Sequence, residues 1–149
     1  MQTDGNQLRL KNQVSFPIYL CSKEIIRKYT PLLKEMDLTY TQYIVMMYFW
    51  EKKKSNVKEI SKILLLDSST LTPLLKKLEG KGYITRARST KDERNLVIEI
   101  TETGKKLEDK AMSVPGKIEK CIDLSEKETA ALYSLVNKVL NSIERNEIK

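Results

Sequence analysis

Between residues 67 and 94 the chain carries hydroxyl, ammonium and guanidinium groups at a spacing suited to gripping a polyanion. In the run DSSTLTPLLKKLEG, Leu71, Leu74, Leu75 and Leu78 fall at i, i+3, i+4 and i+7, one apolar stripe of a helix. Ser69, Thr70, Thr72, Lys76 and Lys77 fall off that stripe, and with Ser68 and Pro73 they form an outward face expected to touch DNA. Hydroxyls reach base edges or phosphate oxygens, and lysine neutralises phosphate. The basic stretch that follows, with Arg86, Arg88, Asp92 and Arg94, extends this expected contact set.

The neighbouring elements have to hold that helix in place. Asp67 or Ser68 caps its start, and Asn56 with Glu59 resembles a capping box for a helix before it that turns Val57, Ile60 and Leu64 inward. Two helices with so short a joint are a helix-turn-helix. Gly80 and Gly82 end the second helix. A strand over 83–88, a polar tip over 89–93 and an alternating strand over 95–100, with Leu96, Ile98 and Ile100 on one face, make a hairpin. The expected fold is mainly α with a small β-hairpin wing, a winged helix-turn-helix over residues 40–100.

Upstream, residues 8–28 are helical in pattern although Pro17 lies inside them, and Thr30-Pro31 is expected to open a short helix closing near Met36. Residues 41–53 are apolar nearly all round, with Tyr43, Ile44, Met47, Tyr48 and Trp50, as a central helix is. Downstream, residues 101–121 are helical with an interruption at Val114-Pro115-Gly116. Ser125 to Glu128 then form a capping box for a last helix to about residue 146, striped by Leu132, Leu135, Val136, Val139, Leu140 and Ile143. The whole chain, 1–149, is expected to be one domain in which 8–36 and 101–146 pair with a second copy, since helix-turn-helix readers mostly use two half-sites.

Net charge is +7 over 149 residues, and its distribution is uneven. Residues 51–95 hold 12 Lys/Arg against 6 Asp/Glu, a balance of +6; residues 1–50 give +2 and residues 96–149 give −1. The excess sits where phosphate contact is expected. With no His, neither Ser-His-Asp nor Cys-His catalysis is available, and two cysteines cannot make a structural zinc site. No cofactor is implied. No secretory signal or membrane span is legible, so a cytoplasmic location with no membrane partner is expected.

Order of elements and local motifs together resemble the MarR family of winged-helix regulators, and within it the branch of organic-peroxide sensors typified by OhrR. The likeness covers essentially the whole chain; its most specific pieces are LDSSTLTPLLKKLE at 66–79, GYITRARSTKDER at 82–94, LTYTQYIVM at 38–46 and LKNQ…Y at 10–19. It implies a homodimeric repressor on a pseudo-palindromic operator of double-stranded DNA. It also implies that Arg94 enters the minor groove at the wing tip while Asp92 pairs with a neighbouring arginine, for which Arg86 is the expected partner. A narrow minor groove concentrates negative potential and favours such a guanidinium.

The branch places a sensing cysteine near the start of the first helix, where nearby tyrosines hydrogen-bond the thiolate. Here the slot holds Ser15, with Tyr19, Tyr29 and Tyr40 at the expected tyrosine positions. Three accounts fit: an engineered Cys-to-Ser change, a natural branch in which Cys21 senses, or a relative answering to a small molecule or to nothing. On a helix Tyr19 lies about 40° from Ser15 and Cys21 about 120° away, so Cys21 is no simple stand-in. Cys21 is equally a small hydrophobe, and Cys121 is a candidate second redox cysteine. The inducers these accounts allow are an organic hydroperoxide, another small molecule, or none. A thiol peroxidase lacks a base beside either cysteine, and a protein-binding winged helix leaves the concentrated charge unexplained.

Overall fold

In the computed structural model, residues 6–91 and 96–145 are described. Their contacts group into two units divided between Pro115 and Gly116. The first unit holds a 3-10 turn at Leu10–Asn12, α1 (Ser15–Lys34), α2 (Tyr40–Lys52), β1 (Lys54–Asn56) and α3 (Val57–Leu64). α4 (Ser68–Gly80), β2 (Ile84–Arg88), β3 (Leu96–Ile100) and α5 (Glu102–Ala111) follow.

Two prolines shape α1 differently from expectation. Pro17 lies in its first turn, where the missing N–H leaves no bond unmade, so the helix starts at Ser15 rather than near residue 8. Pro31 does not open a new helix: α1 runs through it to Lys34. Its ring removes one backbone bond. The turn beyond is anchored by Leu33, which is fully buried.

α2 begins at Tyr40 because Thr39 and Gln42 form a reciprocal cap, side chain to backbone in both directions. Tyr43, Val45, Met46, Phe49 and Trp50 are buried, and α2 supplies much of the core. It is less evenly apolar than its sequence suggests, since Met47 faces outward.

The sheet has three antiparallel strands in the order β1-β3-β2. The hairpin pairs Ile84 with Ile100 and Arg88 with Leu96. β1 was not legible: Lys-Ser-Asn has no alternation, and it is a strand because Ser55 sits opposite Ile98. The buried Ser55 hydroxyl lies 2.8 Å from Tyr48 Oη and donates to Glu59 Oε2 at 2.7 Å. Asn56 does cap α3, accepting the Glu59 N–H at 2.9 Å. Glu59 turns its carboxylate to Ser55, so that capping box is closed from one side.

One glycine closes the core. Thr101 caps α5 by accepting the Gly104 N–H and donates its hydroxyl to the Gly82 carbonyl. The Trp50 indole N–H donates to the Gly104 carbonyl at 2.9 Å. A Cβ at Gly104 would stand 2.2 Å from the Tyr83 carbonyl oxygen and 2.9 Å from Ile100 Cγ1.

α6 (Val114–Ile122) spans the division between the units. The chain breaks at Met112 and Ser113, just before the expected interruption, and Val114-Pro115-Gly116 form the first turn of α6. α7 (Glu126–Arg145) starts at the expected capping box: Ser125 N–H donates to Glu128 Oε2 at 2.9 Å, and Glu128 N–H donates to Ser125 Oγ at 3.4 Å. Its stripe of Leu132, Leu135, Val136, Val139, Leu140 and Ile143 is exposed on the single chain. Among the described residues no helix is long and apolar enough to cross a membrane.

Gly104→Ala is expected to cost about 1–3 kcal/mol, the range for overpacking a filled site. Urea unfolding measures it, and an unshifted midpoint would show that β2 and α5 are not packed as closely as described.

Candidate nucleic-acid interface

α3 ends at Leu65, a left-handed residue with φ 50°, and the Ser61 hydroxyl ties the joint by donating to the Leu66 carbonyl. Asp67 then caps α4, accepting the Thr70 N–H at 2.8 Å and the Ser69 hydroxyl at 2.5 Å. These bonds hold the Asp67 carboxyl below the ordinary carboxylate range, the Ser69 hydroxyl contributing most and the Thr70 N–H next.

The leucine stripe is where the periodicity puts it, with Leu71, Leu74, Leu75 and Leu78 all buried. Ser68, Ser69, Thr70, Pro73, Lys76 and Lys77 are exposed and Thr72 is half-buried, so the polar face is open to solvent. Ser69 is shared with the cap. Pro73 lies inside α4, which continues through it.

Arg88 is exposed at the outer end of β2. Arg86 is not: its Nε and Nη2 donate to Glu79 Oε2 at 2.8 and 2.6 Å. The Arg86 backbone N–H donates to Glu79 Oε1 at 3.2 Å. Arg86 therefore serves the joint between α4 and β2, a role the sequence reading did not give it. Asp92, its expected partner, and Arg94 lie outside the described residues.

Sequence reasoning passed over three further residues. Lys58 and Lys62 of α3 line a cleft of about 550 Å³ with Ser61, Ser68 and Leu96, where α3, α4 and β3 meet. Their spacing of four was the available signal. Lys81 pairs with Asp37 Oδ2 at 3.2 Å and Gln42 Oε1 at 3.2 Å, and Tyr83 Oη donates to the Met36 carbonyl at 3.0 Å. The turn after α4 is thereby tied to the turn after α1.

The expected sensor residues are only partly brought together. Tyr29 and Tyr40 have ring centroids 4.9 Å apart, and both approach Tyr43, whose hydroxyl is pushed up by burial and then by Tyr40. Ser15 and Tyr19 are exposed at the start of α1, as is Cys21. Cys121 is exposed on α6, its thiol donating to the Lys117 carbonyl at 3.4 Å.

The sequence profile described as transcriptional regulator SarA/Rot matches residues 27–111. The chain belongs to the SarA/Rot family. Within reach of this family, SarZ of Staphylococcus aureus (strain USA300), an HTH-type transcriptional regulator, is 45% identical over 137 residues, covering 92% of this chain and 90% of SarZ. AbfR of Staphylococcus epidermidis, solved in reduced form bound to DNA, superposes with a TM-score of 0.76 at 33% identity, covering 95% of this chain and 99% of AbfR. AbfR has also been solved overoxidized on DNA and with a disulfide formed. MarR of E. coli in its reduced form shares the fold, with a TM-score of 0.69 at 24% identity over 86% of this chain and 96% of MarR. The SarA/Rot chain is thus a DNA-binding transcriptional regulator of the winged-helix type that MarR also has.

The lowered Asp67 carboxyl supplies stability above the ordinary carboxylate range and loses it as pH falls through the folded value. Below about pH 4 the hydrogen-exchange protection of the Thr70 amide is expected to drop ahead of the α4 interior. Asp67→Ala is expected to reproduce that drop at neutral pH, and a protection factor unaffected by the substitution would remove Asp67 as the cap.

Proposed function

We propose that this chain is a homodimeric repressor that binds a pseudo-palindromic operator, one α4 in the major groove of each half-site. The observation that carries the reading is the exposed face of hydroxyls and lysines on α4, backed by four buried leucines. Ser68, Ser69, Thr70, Thr72 and Pro73 approach the bases, Lys76 and Lys77 the phosphates, and the wing from Arg88 to Arg94 the adjacent minor groove. α1 and the apolar stripe of α7 join the two copies, which sets the half-site spacing. Repression then follows from occupancy of the operator.

A redox input is supported by AbfR, whose structures span reduced, overoxidized and disulfide forms. In this chain it cannot act through Ser15, since a hydroxyl is not oxidised as a thiolate is. It acts through an exposed thiol, Cys21 first and Cys121 second. One observation favours release by a small molecule instead: a cleft of about 400 Å³ between Ile26, Thr30, Leu38 and Tyr40, rimmed by Lys34 and Lys81. It touches α1 and the turn after α4 together, so an occupant there would move one against the other.

Binding is measured on a duplex enriched by the protein from a random library. Lys76→Ala with Lys77→Ala is expected to weaken it and to lower the salt slope by about 2, and Arg94→Ala by about 1; unchanged slopes would take these residues off the DNA. Release by cumene hydroperoxide is compared for this chain, Ser15→Cys and Cys21→Ser. Release that Cys21→Ser abolishes makes Cys21 the sensor, and release only with Ser15→Cys makes the present chain locked against peroxide. Silence in all three removes the redox input and leaves the ligand cleft.

A further inference from the structure

Glu79 is placed where its chemistry is least expected. It stands in the last turn of α4, one turn beyond Lys76, at the end of the helix proposed to read the duplex. A carboxylate there repels DNA, and plain electrostatics gives it no reason to be present.

Its bonds supply one. β2 is an edge strand, and an edge N–H needs an acceptor from outside the sheet. Glu79 Oε1 is that acceptor for Arg86, while Oε2 takes both Nε and Nη2 of the same residue. One carboxylate thus fastens the backbone and the side chain of β2 to α4. Between them run Lys81, Gly82 and Tyr83, a turn closed by Gly82 at φ 76° and by backbone bonds to α4, beyond which the Glu79 side chain holds the strand at Arg86. The Arg86 side chain is 18% exposed and that of Glu79 36%, so water competes with the pair less than at an open surface. The guanidinium bonds converge on Oε2 while Oε1 holds the backbone N–H, so the carboxylate is engaged at both oxygens, and charge-assisted bonds are the stronger kind. Hydrogen bonding to Arg86 also holds the Glu79 carboxyl below its ordinary range, so the pair is charged at neutral pH.

We propose that Glu79 is a positioning residue for operator recognition: by holding Arg86 it sets the angle at which the wing leaves α4, so that major- and minor-groove contacts form together. The inference rests on the reading of α4 and the wing as the two groove-contacting elements. It makes Arg86 a strut rather than a DNA contact. It also gives a sign opposite to simple charge. Neutralising Glu79 adds one positive charge to the reading head, yet specific binding falls.

The test uses the full-length chain and a duplex enriched by it from a random library, with a scrambled duplex of equal length. Affinities are measured for the unaltered chain, Glu79→Gln, Arg86→Gln and the double variant. Glu79→Gln is expected to lose about tenfold on the enriched duplex while holding or gaining affinity for the scrambled one. Arg86→Gln is expected to lose as much on the enriched duplex, and the double variant is no weaker there than either single. Three results overturn the proposal: enriched-duplex affinity that is unchanged or higher in Glu79→Gln, equal loss on both duplexes, or losses that multiply in the double variant. If the unaltered chain enriches no sequence, the groove-reading assignment itself fails, and this is seen before any variant is made.

Discussion

Burial of the leucines on α4 decides what the opposite side of that helix can do. Leu71, Leu75 and Leu78 are almost fully enclosed and Leu74 nearly so. Each enclosed side chain of this kind is worth about 1.5–3 kcal/mol against exposure. Rotating α4 by one residue, about 100°, would carry that set toward water, and no polar contact on the outer face approaches the loss. The orientation of Thr72, Lys76 and Lys77 is therefore a consequence of hydrophobic packing. Asp67 adds to it by fixing where the helix begins, through its bonds to Thr70 and Ser69.

Around that helix the fold uses a few polar ties at places where the chain would otherwise be free to pivot. Trp50 holds α2 to the first turn of α5 through the Gly104 carbonyl, at a contact too close for any side chain. Lys81 and Tyr83 bind the turn after α4 to the turn after α1. Glu79 binds the end of α4 to β2. The ties made by Lys81, Tyr83 and Glu79 all meet at the end of α4, so a displacement of the turn after α1 has a physical route to β2: Asp37 to Lys81, and Lys81 into the turn that leads to Arg86.

Much of this was legible because it is local. The i, i+3, i+4, i+7 leucines, the Ser125–Glu128 cap, the alternation of Leu96, Ile98 and Ile100, and the winged helix-turn-helix all follow from short-range periodicity and capping chemistry. What escaped is non-local. β1 is a strand only because β3 lies beside it, and nothing in Lys-Ser-Asn says so. Glu79 and Arg86 meet across a helix end and a turn, where no helical or strand period applies. The continuation of α1 through Pro31 depends on the buried Leu33 beyond it, since propensity alone would end the helix there. Of the residues the resemblance marks for sensing, Tyr29 and Tyr40 converge while Ser15 and Tyr19 stand in solvent on the single chain.

Packing and capping build α4 and its surroundings, and the exposed thiols lie apart from them, Cys21 on α1 and Cys121 on α6. The claim on which the proposed function depends is that the outer face of α4 meets the duplex. A photoreactive side chain placed at position 72 or 76 and irradiated on the enriched duplex tests this directly. Major-groove contact by α4 gives cross-links to bases from both positions. If both positions stay unlinked on a saturated complex while a probe on α7 at position 133 captures the DNA, the polar face of α4 is not the reading surface.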